Sequence, residues 1–289
     1  MRLFYYVHTG HRIGLDRFRR AAAIINALGD SVDITLLCSD FRIAHEARAY
    51  GIKNAVGIDV VRNIPQIAHH GDKIIFDSTE YNPIMLEDMC NFFSTFIRIS
   101  DDPHEHKHPK EFLISPYLEG EKICKATVVG SQYFKSHAKN IEKVLFFGDD
   151  DYEKDLEKNL DMFRPYQMDL GLGFYFFIDY EEDIASAFNL KYDFEDYEEM
   201  IQASKILLSA SPQAILESLA SGGRPIYLQR PDYSREYLEL FESLNIPIID
   251  GFDKERLSQL LDDNLSHKYN VLQNDTPKLL SFLKQSLNL

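Results

Sequence analysis

Ser209-Ala210-Ser211-Pro212-Gln213-Ala214-Ile215-Leu216-Glu217-Ser218-Leu219-Ala220-Ser221-Gly222-Gly223-Arg224-Pro225-Ile226-Tyr227 reads as the end of a strand, a loop, a helix and the start of a second strand. An apolar strand over 205–209 delivers the chain to Ser211, a good N-cap, and Pro212, a good first helical residue. The amides of that first turn have no partner within the helix, and the positive end of the helix dipole stands behind them. They face outward at the carboxyl end of the strand, where a diphosphate fits. Gln213 and Glu217 are four apart and share one helix face, while Ile215 and Leu219 share another that turns to the core. Glu217 is therefore placed to accept hydrogen bonds from vicinal hydroxyls such as those of a ribose. Gly222–Gly223 ends the helix and Pro225 opens the next strand. An ordinary, well-capped strand–helix–strand unit fits the same letters, so on this stretch alone both readings stand.

Outward from this segment, short apolar runs alternate with helical patterns. Strands are expected over 3–7, 32–38, 73–76, 96–100, 111–115 and 126–130, with helices over 16–28, 42–50 and 83–93 among them. The rhythm then restarts. Strands are expected over 143–147, 171–178, 205–209, 225–228 and 246–249, with helices over 151–163, 194–203, 212–220, 234–244 and 254–261 and an amphipathic last segment over 276–287. The helix over 194–203 is dense in acid and is expected to keep its polar face in solvent. This alternation implies an α/β protein with two Rossmann-like, doubly wound parallel sheets. The expected division is 1–140 and 141–289, with the last helix able to pack back on the first domain. One large α/β domain is the competing division.

The chain has 289 residues, 45% of them hydrophobic, and a net charge of −15. That charge argues against a nucleic-acid partner, which needs a field of lysine and arginine. It leaves a nucleotide open, because backbone amides can hold one diphosphate within an acidic protein. No stretch approaches the roughly 20 apolar residues of a membrane span, and the apolar start is read as a first strand and not a signal peptide. Cys38, Cys90 and Cys124 show no C-x-x-C spacing. Reduced thiols, a cytoplasmic location and no cysteine metal site are the expectation.

Other segments carry chemistry-bearing residues. A strand running into Gly148 at a βα turn permits close backbone approach to a ligand. Asp149, Asp150 and Asp151 follow, and are read as caps of the next helix in preference to a Mg²⁺ site. His8 through Arg20 holds four arginines and two histidines in an otherwise acidic chain, at the first βα loop, where open sheets bind ligands. Arg19 is the arginine expected to face outward. His8 and His11 are candidates for acid–base work, with solvated loop histidines the plainer reading. Asp77, Asp101 and Asp102 lie at strand ends and serve either as a base or as loop caps. His104, His106 and His108 alternate, but a polar loop suits them better than a metal clamp.

Taken in order, these segments resemble the GT-B fold of nucleotide-sugar enzymes, in which the second half carries a Ser/Gly-rich loop, a helix with a ribose-binding Glu and a Gly-x-Pro strand. More closely, the chain is similar to the UDP-sugar hydrolase of pseudaminic acid biosynthesis and to spore-coat polysaccharide glycosyltransferase-like proteins. The likeness is carried by Ile13-Gly14 with Arg20, by Ile74–Ser78 with Asp77, by Phe96–Asp102, by Val129–Tyr133 and by Val144–Asp151. The hydrolase group has an Ile-Gly-x-Gly-His-x-x-Arg stretch with a catalytic His. Here Asp16 stands at that Gly and Arg17 at that His, Thr79 replaces an aromatic residue, and Ser209–Gln213 lacks the usual glycines.

The resemblance thus implies nucleotide-sugar binding more firmly than hydrolysis. It implies two domains facing a cleft, with Gly148, Ser209, Ser211, Gln213, Glu217 and Arg230 holding a nucleotide sugar, UDP-linked by expectation. Chemistry falls to His11, Asp16, Arg17 and Asp77, with His11 or Asp16 as base and Arg17 or Arg230 steadying the leaving diphosphate. No metal and no cofactor beyond the sugar donor are expected. Transfer to a hydroxyl acceptor in surface or flagellar glycan or nonulosonate sugar biosynthesis is the leading implication. Hydrolysis and an inactive nucleotide-sugar-binding protein are the alternatives.

Overall fold

The computed structural model describes residues 1–176 and 178–289. Two compact units make up the fold. The first comprises Met1–Gly10, Arg17–Ser131 and Asn274–Leu289; the second comprises His11–Asp16 and Gln132–Gln273.

Among the described residues the first unit holds a seven-stranded sheet. Its strands are β1 (Leu3–Val7), β2 (Ile34–Cys38), β3 (Asn54–Gly57), β4 (Lys73–Asp77), β5 (Thr95–Ile99), β6 (Phe112–Ser115) and β7 (Ile123–Lys125), in the order β3-β2-β1-β4-β5-β6-β7. Every pairing is parallel. The central strands, LFYYV, KIIFD and TFIRI, are almost continuously apolar because helices cover both faces of a parallel sheet. Phe4, Tyr6, Ile74, Phe76 and Phe96 form one core with Ile64, Leu86 and Met89. The helix Thr276–Leu287 also belongs to this unit, burying Leu279, Leu283 and Leu287 at a four-residue spacing. Its Phe282 ring meets Phe112.

The second unit has a six-stranded sheet: β8 (Ile141–Phe146), β9 (Asp169–Gly171), β10 (Lys191–Tyr192), β11 (Ser204–Ser209), β12 (Arg224–Gln229) and β13 (Ile248–Asp250). The order is β10-β9-β8-β11-β12-β13, again parallel throughout. In each sheet the chain winds one way from a central strand and then the other, so the order reverses between β1 and β4 and between β8 and β11. Ligands of open α/β sheets bind at such reversals, beyond the carboxyl ends of the strands.

Several elements differ from the sequence reading. The strand expected over 126–130 is instead β7, three residues earlier. The strand expected over 171–178 ends at Gly171; residue 177 lies outside the described residues, and a helix, Ile178–Ala185, begins next to it. The helix expected over 151–163 is two short pieces, Asp155–Lys158 and Leu160–Phe163, joined at Asn159, whose backbone leaves the helical region. The short strands β3 and β10 carry too few apolar residues to be read from sequence. The acidic helix does keep its acids outside, with Tyr197, Met200 and Ile201 buried.

Candidate functional site

In the second unit β8 and β11 lie side by side at the reversal, Ser209 standing opposite Phe146 on one side and Tyr227 of β12 on the other. The turn after β8 is built on close backbone approach. Gly148 has φ +124°, a region in which a Cβ is strained. Gly173 presses so tightly on the same turn that a Cβ there would stand 2.6 Å from the Cα and carbonyl carbon of Asp149. After β11, the Ser209 hydroxyl accepts from the Ser211 amide at 3.0 Å, and the Ser211 hydroxyl accepts from the Ala214 amide at 3.1 Å. The helix Pro212–Ala220 therefore starts with its N-cap in place, as the sequence reads.

The first turn of that helix already holds an anion. Ser211 Oγ donates to Asp16 Oδ1 at 2.6 Å, and the Gln213 amide donates to Asp16 Oδ2 at 3.3 Å. The segment His11–Asp16 is fixed to the second unit by further contacts. The Leu15 amide donates to Asp149 Oδ2 at 3.0 Å, the Arg12 amide donates to Asp150 Oδ2 at 3.0 Å, and His11 Nδ1 lies 2.9 Å from Asp150 Oδ1. The reading of Asp149–Asp151 as three caps is thereby corrected. Asp151 alone caps, accepting from the Asp155 and Leu156 amides, while Asp149 and Asp150 hold the loop. The backbone amides at positions 12 and 15 take these two buried carboxylates, in charge-assisted hydrogen bonds.

One turn along the helix, buried Glu217 does not stand open as the sequence suggested. It accepts from Gln213 Nε2 at 2.9 Å and from the Tyr197 hydroxyl at 2.8 Å. These bonds orient the carboxylate. Arg230, also buried, donates through Nη1 to the Asp150 carbonyl at 2.6 Å, pairs with Asp232 at 2.7 Å and lies over the rings of Phe147 and Tyr233. Beside it, the Tyr227 hydroxyl and Gln229 Oε1 are buried and lack hydrogen-bond partners. Burial first, and the Asp16 carboxylate next, push the Tyr227 phenol upward. Tyr197, Gly173, Tyr227 and Tyr233 were not foreseen; residues scattered from 173 to 233 give no local signal.

The second unit thus brings together His11, Asp16, Gly148, Ser209, Ser211, Gln213, Glu217 and Arg230. Arg17 and Asp77 lie in the first unit, at the reversal between β1 and β4. There Arg20 binds Asp77 through Nε and Nη2 at 2.9 and 2.6 Å and Asp101 through Nη1 at 2.7 Å. Arg17 Nε stands 3.7 Å from Asp77. His8 Nδ1 is 3.6 Å from Glu80, and burial, with the neighbouring Arg17, holds its imidazole below the usual range. Arg19, expected to face outward, is buried at 4% exposure. Asp102 accepts from the His104 amide and so begins a loop. That loop is tied down by Arg98, fully buried, which pairs with Glu105 and Glu111. His104 and His106 are exposed on it, and among the described residues no group of His, Cys, Asp and Glu is disposed to hold a metal. Cys38, Cys90 and Cys124 are free and buried; burial raises their thiols, Cys38 to about 12 and Cys90 to about 11. No helix among the described residues is long and apolar enough to cross a membrane.

Solved structures resemble the whole chain. MnaA of S. aureus with UDP superposes with a TM-score of 0.65 at 10% identity, over 100% of this chain and 98% of that one. A Methanocaldococcus jannaschii UDP-GlcNAc 2-epimerase in complex with UDP-GlcNAc and UDP gives 0.63 at 11%, over 99% and 100%. The fold is of the GT-B type. A glycosyltransferase from Rickettsia africae is also similar, with a TM-score of 0.51 at 13% identity over 99% of this chain and 93% of that one. No family model and no curated protein sequence matches the chain. At these identities the GT-B likeness speaks for architecture; any ligand must be argued from the residues present.

Proposed function

We propose that the protein transfers a sugar from a nucleoside diphosphate, UDP by preference, to a hydroxyl acceptor. The observation that carries this reading is the anion held at the start of the helix Pro212–Ala220, with Glu217 buried and oriented one turn away. A phosphate takes the place of that anion, and vicinal ribose hydroxyls donate to Glu217. UDP in two of the similar structures supports the choice of nucleotide.

In the proposed reaction the bond from the sugar C1 to the diphosphate oxygen breaks as a bond from C1 to the acceptor oxygen forms. His11 is the base. The hydrogen bond from Nδ1 to buried Asp150 fixes the tautomer, so Nε2 is the nitrogen that takes the acceptor's proton. The developing charge on the diphosphate is met by the helix amides, the Ser211 hydroxyl and Arg230, preorganised dipoles and charge that need no Lewis acid. A role in surface or flagellar glycan or nonulosonate sugar assembly follows from the resemblance in sequence order.

Titration calorimetry with UDP-, GDP-, CMP- and TDP-sugars tests the donor, and release of nucleoside diphosphate with and without hydroxyl acceptors tests the reaction. UDP-sugars are expected to bind, with Glu217→Gln weakening them about tenfold, the worth of one hydrogen bond to a charged group. Release is expected only with an acceptor. Release in water alone marks a hydrolase, and binding without any release removes the transferase reading.

A further inference from the structure

The donors that would hold a phosphate are occupied by a carboxylate of the chain itself. Asp16 takes both the Ser211 hydroxyl and the Gln213 amide. Two negative groups cannot share one pair of donors, since each repels the other and each needs the same hydrogens. Asp16 is also not the anion this pocket fits best. The Tyr227 hydroxyl is fully buried, is near enough for Asp16 to be the strongest charge acting on it, and has no hydrogen-bond partner. A carboxylate has left this donor unused. A phosphate, with more oxygens, has an acceptor for it.

Asp16 is bound to Ser211 Oγ and the Gln213 amide, while the start of its segment stays anchored through the Arg12 and Leu15 amides, the His11 ring on Asp150 and Tyr175, and an Arg12–Glu153 ion pair at 2.7 Å. Gly10 and Gly14 have φ of +148° and +75°, and Arg12, at +66°, holds a left-handed conformation that few side chains favour.

We infer that Asp16 is an internal competitor that keeps the phosphate subsite closed, and that a nucleoside diphosphate enters by displacing it. This rests on the nucleotide-sugar reading of the same helix. Displacement lowers the apparent affinity by the fraction of molecules in which Asp16 is seated. It also removes the carboxylate bound to Ser211, so that an arriving diphosphate finds that hydroxyl and the Gln213 amide open.

The test is titration of UDP, and separately of uridine, into the wild type, Asp16→Asn and Asp16→Ala. Removing the competitor is expected to tighten UDP about tenfold or more in both variants while uridine, which lacks phosphate, binds all three alike. Thermal unfolding of each variant checks that the fold is kept. In the wild type, UDP is further expected to speed hydrogen exchange at the amide of Leu15, next to Asp16, a readout that needs no substitution. UDP binding of equal or lower affinity in the variants, with no change at that amide, overturns the inference and leaves the nucleotide site standing. Failure of all three proteins to bind UDP overturns both.

Discussion

Arg20 is held on three sides by two buried carboxylates, and the arrangement decides what its loss would do. Asp77 is fully buried and Asp101 nearly so. Replacing Arg20 by Met takes the bonded guanidinium from both and leaves Asp77 only the more distant Arg17 at 3.7 Å, which costs about 3–5 kcal/mol. Arg235, paired with Asp250 in solvent, is the contrast, and Arg235→Ala should change stability by less than about 1 kcal/mol. Urea denaturation of the two variants checks the ordering; equal midpoints would show that the buried pairing of Arg20 adds nothing to stability. Legibility in the sequence differs sharply between such residues. Ser211, Pro212 and Gln213 could be placed because a cap is a local device, with its partner three residues away. Asp16 could not be placed, because its partner Ser211 lies 195 residues along the chain. Glu217 was singled out, yet its partner Tyr197 belongs to a different helix, and no spacing rule connects them.

At the scale of elements, β-strands were readable wherever both faces are buried, as in LFYYV, KIIFD and KILLS, because nothing polar interrupts the run. They were misread where apolar residues serve a different purpose. Phe174, Tyr175 and Phe176 look like a strand but form a turn whose rings pack on Phe194 and His11 and into the core around Tyr180. The turn exists because Gly173 lets its backbone lie against that of Asp149. Gly173→Ala has no flexible neighbour to push aside, only backbone. The two turns must part, at about 1–3 kcal/mol by the usual cost of overpacking, and with them goes the geometry around Gly148 and Arg230. The expected result is a lowered urea midpoint together with weakened UDP binding. Gly222→Ala, with open space around its Cβ position, serves to separate backbone strain from crowding. Unchanged UDP affinity in Gly173→Ala would detach this turn from the site.

For the whole molecule, the two doubly wound sheets followed from the alternation of apolar runs and helical periods, a property summed over many residues and so robust to local error. The site is less robust, since it depends on a few loops whose hydrogen bonds link distant segments. An acidic chain of net charge −15 can still bind a diphosphate if the binding donors are amides and hydroxyls at one helix start, backed by one buried arginine. The claim that this helix start, in the second unit, is the nucleotide site is tested most directly by hydrogen–deuterium exchange across the full wild-type chain with and without saturating UDP. Slowed exchange is expected at 146–151 and 209–217, faster exchange at 15, and none of this in the strands of the first unit. Exchange at 209–217 that is indifferent to UDP, or protection confined to the first unit, would contradict it.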